Sequence, residues 1–211
     1  SAGDAASFTF IDWGQDGSPP NPCGDPPLEG GALRSQDLRT SGDPVGLDGA
    51  ILRVDPNTGQ GLPGNPLAGS SDPNARLSLA YGLRNPFRFT IRPGTNELWV
   101  GDVGYLTWEE IDRITNPTDA TADNFGWPCY EGTVRTPDYD AANLPICETL
   151  YATSSPYVKP YYRYNHSNKV VSGEPCPAGS SSISGIAFET TSSYPASYDG
   201  ALFFADYSRR C

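Results

Sequence analysis

Short runs in which hydrophobic and polar residues alternate recur along this chain of 211 residues. The clearest is Phe87–Ile91, which is followed by the turn residues Pro93–Asn96 and by the apolar run Glu97–Gly101. Alternation with a period of two residues places every second side chain on the same face of a strand. The three segments together therefore predict a β-hairpin.

The same kind of pattern predicts further strands. These are Ala50–Asp55 with the turn Pro56–Gly59, a strand at about Glu110–Ile114, and the apolar pair Gly185–Glu189 and Ala201–Ala205. No window without Gly and Pro carries apolar residues at positions i, i+3, i+4 and i+7, so we predict no helix longer than about three turns. The residues before Leu47 show little alternation and are predicted to form ordered, turn-rich loops.

Composition agrees with short strands joined by many turns. The chain contains 23 Gly and 21 Pro, which interrupt helices, and 12 Tyr, 8 Phe and 4 Trp, which pack well on strand faces. An all-β chain of this length can fold as one domain, so we predict a single domain over residues 1–211. Strand pairs separated by long loops are typical of consecutive propeller blades, which take roughly 40 to 50 residues each, and a β-sandwich is the alternative.

Charge narrows the classes of partner. With 14 basic and 25 acidic residues the net charge is −11, which disfavours a nucleic acid or an anionic membrane surface as the main partner. No segment approaches the roughly 18 consecutive apolar residues that a membrane span requires. The chain contains no Met, even at position 1, so we expect it to be a processed or incomplete form of a longer protein.

Five cysteines lie in surroundings rich in Gly, Pro and Asn, and they form no CxxC pair of the kind that structural zinc prefers. We therefore predict disulfides and an oxidising compartment, so that the protein is secreted or periplasmic. The pairing that we predict is Cys129 with Cys147 and Cys176 with Cys211. Cys23 is then either a free thiol or the partner of a cysteine outside the chain.

Four motifs follow one another at tight spacing in the middle of the chain. They are Tyr81–Phe89 (YGLRNPFRF), Leu98–Tyr105 (LWVGDVGY), Trp108–Ile111 (WEEI) and Asn124–Pro128 (NFGWP). This series resembles the glucose/sorbosone dehydrogenase family, the soluble aldose dehydrogenases that use pyrroloquinoline quinone (PQQ) and calcium on a six-bladed propeller. Weaker matches occur at Ser1–Asp4, Leu47–Asp55 and Asp199–Tyr207. The resemblance implies an all-β, six-bladed β-propeller, of which this chain covers only part.

Arg84 and Asn85 are the first candidates for a cofactor contact. A planar guanidinium can hold an ortho-quinone or a carboxylate through two parallel hydrogen bonds, and the amide adds a donor and an acceptor. The resemblance implies that this pair lies against the quinone cofactor and that Arg209 lies near the carboxylates of the cofactor. The alternatives are that Arg84 ties a loop to a neighbouring blade and that Arg209 is a solvated residue past a strand end.

The loop after the predicted strand Glu97–Gly101 is the candidate calcium site. Glycine lets the backbone bend until carbonyl oxygens point at a hard cation, and the resemblance implies that the carbonyls of Gly104 and Tyr105 hold the cofactor's calcium. By the same family pattern, Glu110 and the carbonyl of Phe125 would hold a second, structural calcium ion. The alternatives are an ordinary blade turn at Gly104 and a solvated carboxylate at Glu110.

The resemblance also implies a reaction. A histidine base removes the hydroxyl proton at C1 of an aldose while hydride passes to PQQ, and an external acceptor then takes the electrons. Asp4 matches the aspartate that orients this histidine, which would lie upstream of Ser1. His166, the only histidine in the chain, is predicted to be structural. The alternative function is a non-catalytic extracellular propeller that binds a protein or a glycan.

Overall fold

The computed structural model describes residue 3, residues 24–42 and residues 44–211. The chain divides into two compact units. The first unit is made of Ser1–Asn85 and Thr118–Lys159, and the second is made of Pro86–Pro117 and Pro160–Cys211. Because each unit is assembled from two separate stretches of sequence, its core depends on contacts between residues that are distant along the chain.

Most of the regular structure is β. The strands of the described residues are β1 (Ile51–Leu52), β2 (Ser78–Tyr81), β3 (Pro86–Ile91), β4 (Leu98–Asp102), β5 (Trp108–Ile114), β6 (Asp123–Asn124), β7 (Tyr130–Glu131), β8 (Val134–Arg135), β9 (Tyr162–Asn165), β10 (Ile183–Phe188) and β11 (Leu202–Asp206). The helices of the same residues are α1 (Pro137–Ala141), α2 (Pro145–Tyr151) and the 3₁₀ segments Gly31–Arg39, Ala75–Leu77 and Ala196–Tyr198. The prediction of strands with only short helices is confirmed.

The first unit contains a three-stranded sheet in the order β1-β2-β6. Strand β2 runs antiparallel to β1 and parallel to β6. The hairpin β7-β8 and the helices α1 and α2 come after β6, and the disulfide Cys129–Cys147 closes this segment over a separation of 18 residues. Proline begins both helices, where its missing N–H removes no hydrogen bond.

Two parts of the first unit differ from the sequence prediction. The segment Gly31–Arg39, predicted as loop, forms a 3₁₀ helix with Leu33 and Gln36 fully buried on one side. Strand β1 is shorter than predicted because its register shifts after Ile51. Beyond the shift, Asn65 Nδ2 donates to the carbonyls of Arg53 and Arg76 at 2.8 Å each, so a side-chain amide takes the place of strand hydrogen bonds.

The second unit contains a four-stranded antiparallel sheet in the order β3-β4-β5-β9 and the antiparallel pair β10-β11. Its buried core consists of Trp99, Ile111, Tyr164, Ile183 and Ile186. Gly101 lets β10 approach β4 closely, since a Cβ at this position would lie 3.2 Å from the Ile183 side chain. The disulfide Cys176–Cys211 closes the last part of this unit.

Several predictions from the sequence are confirmed in the two units. The hairpin is β3 and β4, the third strand lies within β5, and the apolar pair is β10 and β11. Both predicted disulfides are present. A four-stranded antiparallel sheet is the element from which propeller blades are built, although no closed sheet is formed among the described residues. None of the described helices combines the length and the apolar character that crossing a bilayer requires.

Candidate functional site

Arg84 and Asn85 follow β2 after a tight turn at Gly82. The φ angle of Gly82 is +73°, and a Cβ atom there would lie 2.3 Å from Asn124 Oδ1 and 2.7 Å from Gln36 Nε2. A side chain at this position would be strained by the backbone conformation and would also collide with both polar groups. The turn therefore requires glycine, and it positions the two candidate cofactor residues.

A buried network of polar side chains packs against this turn. Gln36 Nε2 donates to Asn124 Oδ1 at 3.0 Å and to the carbonyl of Trp127 at 2.7 Å, and Asn124 Nδ2 donates back to Gln36 Oε1 at 2.9 Å. The backbone N–H of Trp127 donates to the carbonyl of Gly82 at 2.8 Å. Residues of the NFGWP motif thus fix the Gly82 turn of the YGLRNPFRF motif within the first unit.

The aromatic ring of Trp127 also supports Arg84. The guanidinium carbon of Arg84 lies 5.7 Å from the centroid of this ring, which is within the range of a cation–π interaction. Gly3 approaches the same segment, because a Cβ on Gly3 would lie 3.6 Å from Asn85 Oδ1. Asp4, the predicted partner of a catalytic histidine, lies outside the described residues.

The loop that carries Gly104 and Tyr105 joins β4 to β5 in the second unit. The backbone N–H of Gly104 donates to Oε1 of Glu109 at 3.3 Å. Among the hydrogen bonds of the described residues, none is accepted by the carbonyl oxygen of Gly104. Within the described ranges, no group of three or more His, Cys, Asp and Glu side chains is arranged to bind a metal, and the predicted calcium ligation by Gly104 and Tyr105 stays a prediction.

Glu109, which the sequence offered only beside Glu110 as a possible calcium ligand, has contacts that the sequence did not predict. Its side chain is fully buried, its Oε2 accepts the backbone N–H of Ile183 at 2.8 Å, and its Oε1 lies 2.8 Å from Nε2 of His166. The last contact lacks the alignment of a hydrogen bond, and it is an ion pair only when the imidazole is protonated. The signal that identifies Glu109 is strand alternation, since it lies on the same face of β5 as the core residue Ile111.

Glu110 lies on the opposite face of β5 from Glu109. It is opposite Asp102 of β4 in the sheet register and, on its other side, opposite Arg163 of β9. Its exposed fraction is 8%, so the alternative of a solvated carboxylate does not describe it. Phe125, its predicted partner in a structural calcium site, belongs to the first unit, and the joint site stays a prediction.

Asp112 shares the face of β5 that carries Glu110. It is fully buried, and neither of its carboxylate oxygens has a hydrogen-bond partner within the described part of the chain. Burial raises the pKa of Asp112 well above its ordinary value, and the charges of Glu110 and Asp102 raise it further. This carboxyl therefore keeps its proton to a higher pH than an exposed aspartate does.

Arg209 is almost completely buried in the second unit, with an exposed fraction of 2%. Its guanidinium donates to Ser181 Oγ at 2.7 Å and to the carbonyls of Asn168 at 2.9 Å, Asn165 at 2.5 Å and His166 at 3.2 Å. These contacts fix the chain at the end of β9 and just after it, where His166 lies next to Glu109. The predicted contact between Arg209 and the cofactor stays a prediction, and the solvated alternative does not describe this residue.

Comparison with known proteins supports the sequence motifs. A family model, that of glucose/sorbosone dehydrogenases, matches residues 31–208. Among solved structures, the chain is similar to the PQQ-bound form of an aldose sugar dehydrogenase from Streptomyces coelicolor, with 27% sequence identity and a TM-score of 0.43. The similarity covers 67% of this chain and 30% of the Streptomyces chain. No curated protein matches the chain.

Proposed function

The chain belongs to the glucose/sorbosone dehydrogenase family, and on this premise we propose that the protein oxidises an aldose at C1 with PQQ and calcium. The observation that carries the proposal is the way in which the four motifs support one another. In the first unit, Trp127 of the NFGWP motif donates its N–H to Gly82 of the YGLRNPFRF motif. In the second unit, Glu109 of the WEEI motif accepts the N–H of Gly104 of the LWVGDVGY motif. An external acceptor would then take the electrons.

The residues after β2 and those of the loop between β4 and β5 suit PQQ and calcium, the two groups that such a reaction requires. PQQ supplies a two-electron acceptor and calcium supplies a Lewis acid when they are bound. Arg84 would hold planar oxygen atoms of the cofactor through two parallel hydrogen bonds, with Asn85 adding a donor and an acceptor. Gly104 and Tyr105 would offer main-chain carbonyl oxygens, which are hard ligands of the kind that calcium prefers.

The remaining roles are proposed on the family pattern alone. Asp4 would orient a catalytic histidine, Glu110 and the carbonyl of Phe125 would hold a structural calcium ion, and Arg209 would face the carboxylates of the cofactor. By the same pattern, the chain would form part of a six-bladed β-propeller. We do not assign the base to His166, because the family pattern puts the catalytic histidine upstream of Ser1.

We also propose that the protein works outside the cell or in the periplasm. The support is the pair of disulfides, Cys129–Cys147 and Cys176–Cys211. Such bonds persist in oxidising compartments and are rare where glutathione keeps thiols reduced.

The proposal is tested with the intact protein, PQQ and calcium. We expect uptake of PQQ, seen in its absorption spectrum, and reduction of an artificial electron-acceptor dye when aldoses are added. A panel of aldoses then identifies the preferred sugar. If the intact protein takes up no PQQ and reduces no dye with any aldose, the enzyme proposal is wrong, and the non-catalytic propeller that binds a protein or a glycan is the better account.

Substitution of Arg84 by Lys tests the cofactor contact itself. Lysine keeps the positive charge but lacks the planar fork that makes two parallel hydrogen bonds, so Arg84→Lys should raise the Kd for PQQ by about tenfold or more. The measurement is a titration of calcium-loaded protein with PQQ. Arg92→Lys is the matched control, because Arg92 is a half-exposed arginine that pairs with Glu97 in the β3-β4 turn. Equal Kd values for both variants would contradict the role of Arg84.

A further inference from the structure

A buried side chain contacts the backbone of the loop of residues 103–107. The N–H of Gly104 donates to the Glu109 carboxylate, at 3.3 Å, and that side chain comes from the second residue of β5. At the other end of the loop, the carbonyl of Thr107 accepts the N–H of His166 at 2.9 Å. Glu109 is fully buried and Gly104 is partly buried, so the carboxylate side of this contact is shielded from water.

Glu109 is itself held from two further directions. Its other oxygen accepts the N–H of Ile183, the first residue of β10, at 2.8 Å. On the side of Gly104, His166 Nε2 lies 2.8 Å from Oε1, and the carbonyl of His166 accepts from Arg209 Nη2 at 3.2 Å. The carboxylate is thus bonded to β10 and packed against His166, so it ties the N–H of Gly104 to the core of this unit.

We propose that Glu109 is the positioning residue of the calcium loop: it holds Gly104 so that the carbonyls of Gly104 and Tyr105 are directed to the cation. This inference rests on the proposed function, since it concerns the same loop. Glu109 is not a ligand in this proposal. It acts through Gly104, as residues behind metal ligands commonly do, and removal of such a residue typically weakens metal binding 10- to 100-fold.

The variant that tests the proposal is Glu109→Gln. Glutamine has nearly the same shape, but its amide nitrogen must face either the N–H of Gly104 or the N–H of Ile183, and the negative charge is lost. We expect the affinity for calcium, measured by calorimetry on the intact protein with PQQ present, to fall at least about tenfold. Glu189→Gln is the matched control, because Glu189 lies in the same unit, is 9% exposed and also accepts a backbone N–H, from Thr191 at 2.8 Å.

A second measurement needs no variant. In calcium-free wild-type protein, hydrogen exchange at the Gly104 amide should be slower than the rate of an unprotected amide, because its N–H is bonded to a buried carboxylate. In Glu109→Gln this protection should fall while the amides of β4 and β5 stay protected. If the variant does not fold, the wild-type exchange rate decides the matter.

The outcomes separate this inference from the proposed function. Exchange of the Gly104 amide at the unprotected rate, or equal calcium affinities for Glu109→Gln and the wild type, would overturn the role of Glu109 alone. A wild-type protein that takes up neither calcium nor PQQ would overturn the proposed function. The role of Glu109 in the calcium loop would then be wrong as well. Loss of calcium affinity in Glu109→Gln together with wild-type affinity in Glu189→Gln would support both.

Discussion

Gly82 shows how much of the candidate site depends on one residue. Its φ angle of +73° directs the chain from β2 toward Arg84 and Asn85, and the absence of a Cβ leaves room for the Gln36–Asn124 pair. Both side chains of that pair are buried, and each donates to the other. A buried amide that loses its partner costs about 1 to 3 kcal/mol, so the turn and the network are coupled.

Gly82→Ala should therefore destabilise the protein more than the backbone strain alone does. We expect the free energy of unfolding to fall by about 3 kcal/mol or more, because the methyl group adds the loss of a buried hydrogen bond to the strain of a left-handed alanine. Urea unfolding measures the change. Gly59→Ala is the control: its φ angle is +71° but no atom lies within 4 Å of the added Cβ, so it should lose only about 1 to 2 kcal/mol. Similar losses in both variants would show that the network contributes little.

At the scale of elements, Asp72 lies just before the short 3₁₀ helix Ala75–Leu77 and binds the backbone at its start. Its Oδ1 accepts the N–H groups of Asn74 at 2.8 Å and Ala75 at 3.0 Å, and its Oδ2 accepts the N–H of Val45 at 3.1 Å. Burial acts to raise the pKa of Asp72, but the three backbone donors and the charge of Arg76 outweigh it, and the pKa is lowered from its ordinary value. One carboxylate thus connects the helix start to the segment before β1.

The stabilisation from Asp72 should depend on pH. Because its pKa is lower in the folded protein than in the unfolded chain, the contribution is complete at neutral pH and is lost as the pH falls below about 4. Asp72→Ala should lower the free energy of unfolding by about 1 kcal/mol at pH 7 and by less at pH 3. Urea unfolding at both pH values measures this. Asp72→Asn, which keeps an oxygen acceptor without the charge, should cost less at pH 7, and a loss from Asp72→Ala that is the same at both pH values would contradict the assignment.

At the scale of the whole molecule, the two units depend on contacts between distant parts of the sequence, and each has a disulfide. In the first unit, Cys129 and Cys147 are both fully buried, and their bond closes the segment that contains the β7-β8 hairpin and α1. This segment has only short elements, so the cross-link supplies order that a two-residue strand cannot. A loop of this length should contribute about 3 kcal/mol.

Replacement of both cysteines by alanine tests that contribution. The double variant Cys129→Ala/Cys147→Ala should lose about 3 kcal/mol of unfolding free energy relative to the oxidised wild type, measured by denaturant unfolding. Under reducing conditions the wild type also lacks this disulfide. The unfolding free energies of the wild type and of the double variant should then differ by much less than about 3 kcal/mol. Peptide mapping without reduction provides the check on pairing, and a bond from Cys23 to either residue would contradict it.

Local sequence patterns determined much of what is found here. The β3-β4 hairpin, the strand within β5 and the β10-β11 pair were predictable, because period-two alternation and turn residues act over a few neighbouring positions. Both disulfide pairings are also as predicted, but no local pattern determines them, since they join cysteines 18 and 35 residues apart. The motif series led to the family that the family model confirms. The 3₁₀ helix Gly31–Arg39 was not predictable, since its buried face includes the polar residue Gln36.

Only the tertiary structure decided the roles of the polar side chains. The sequence offered both Glu109 and Glu110 as possible calcium ligands, and the family resemblance selected Glu110, whereas Glu109 is the one that contacts the Gly104 loop. The hydrogen-bond partners that determine these roles are distant in the sequence. Glu109 and Ile183 are 74 residues apart, and Gln36 and Asn124 are 88 residues apart. A strand pattern shows that Glu109 and Glu110 point to opposite faces, but which face becomes the core depends on what packs against it.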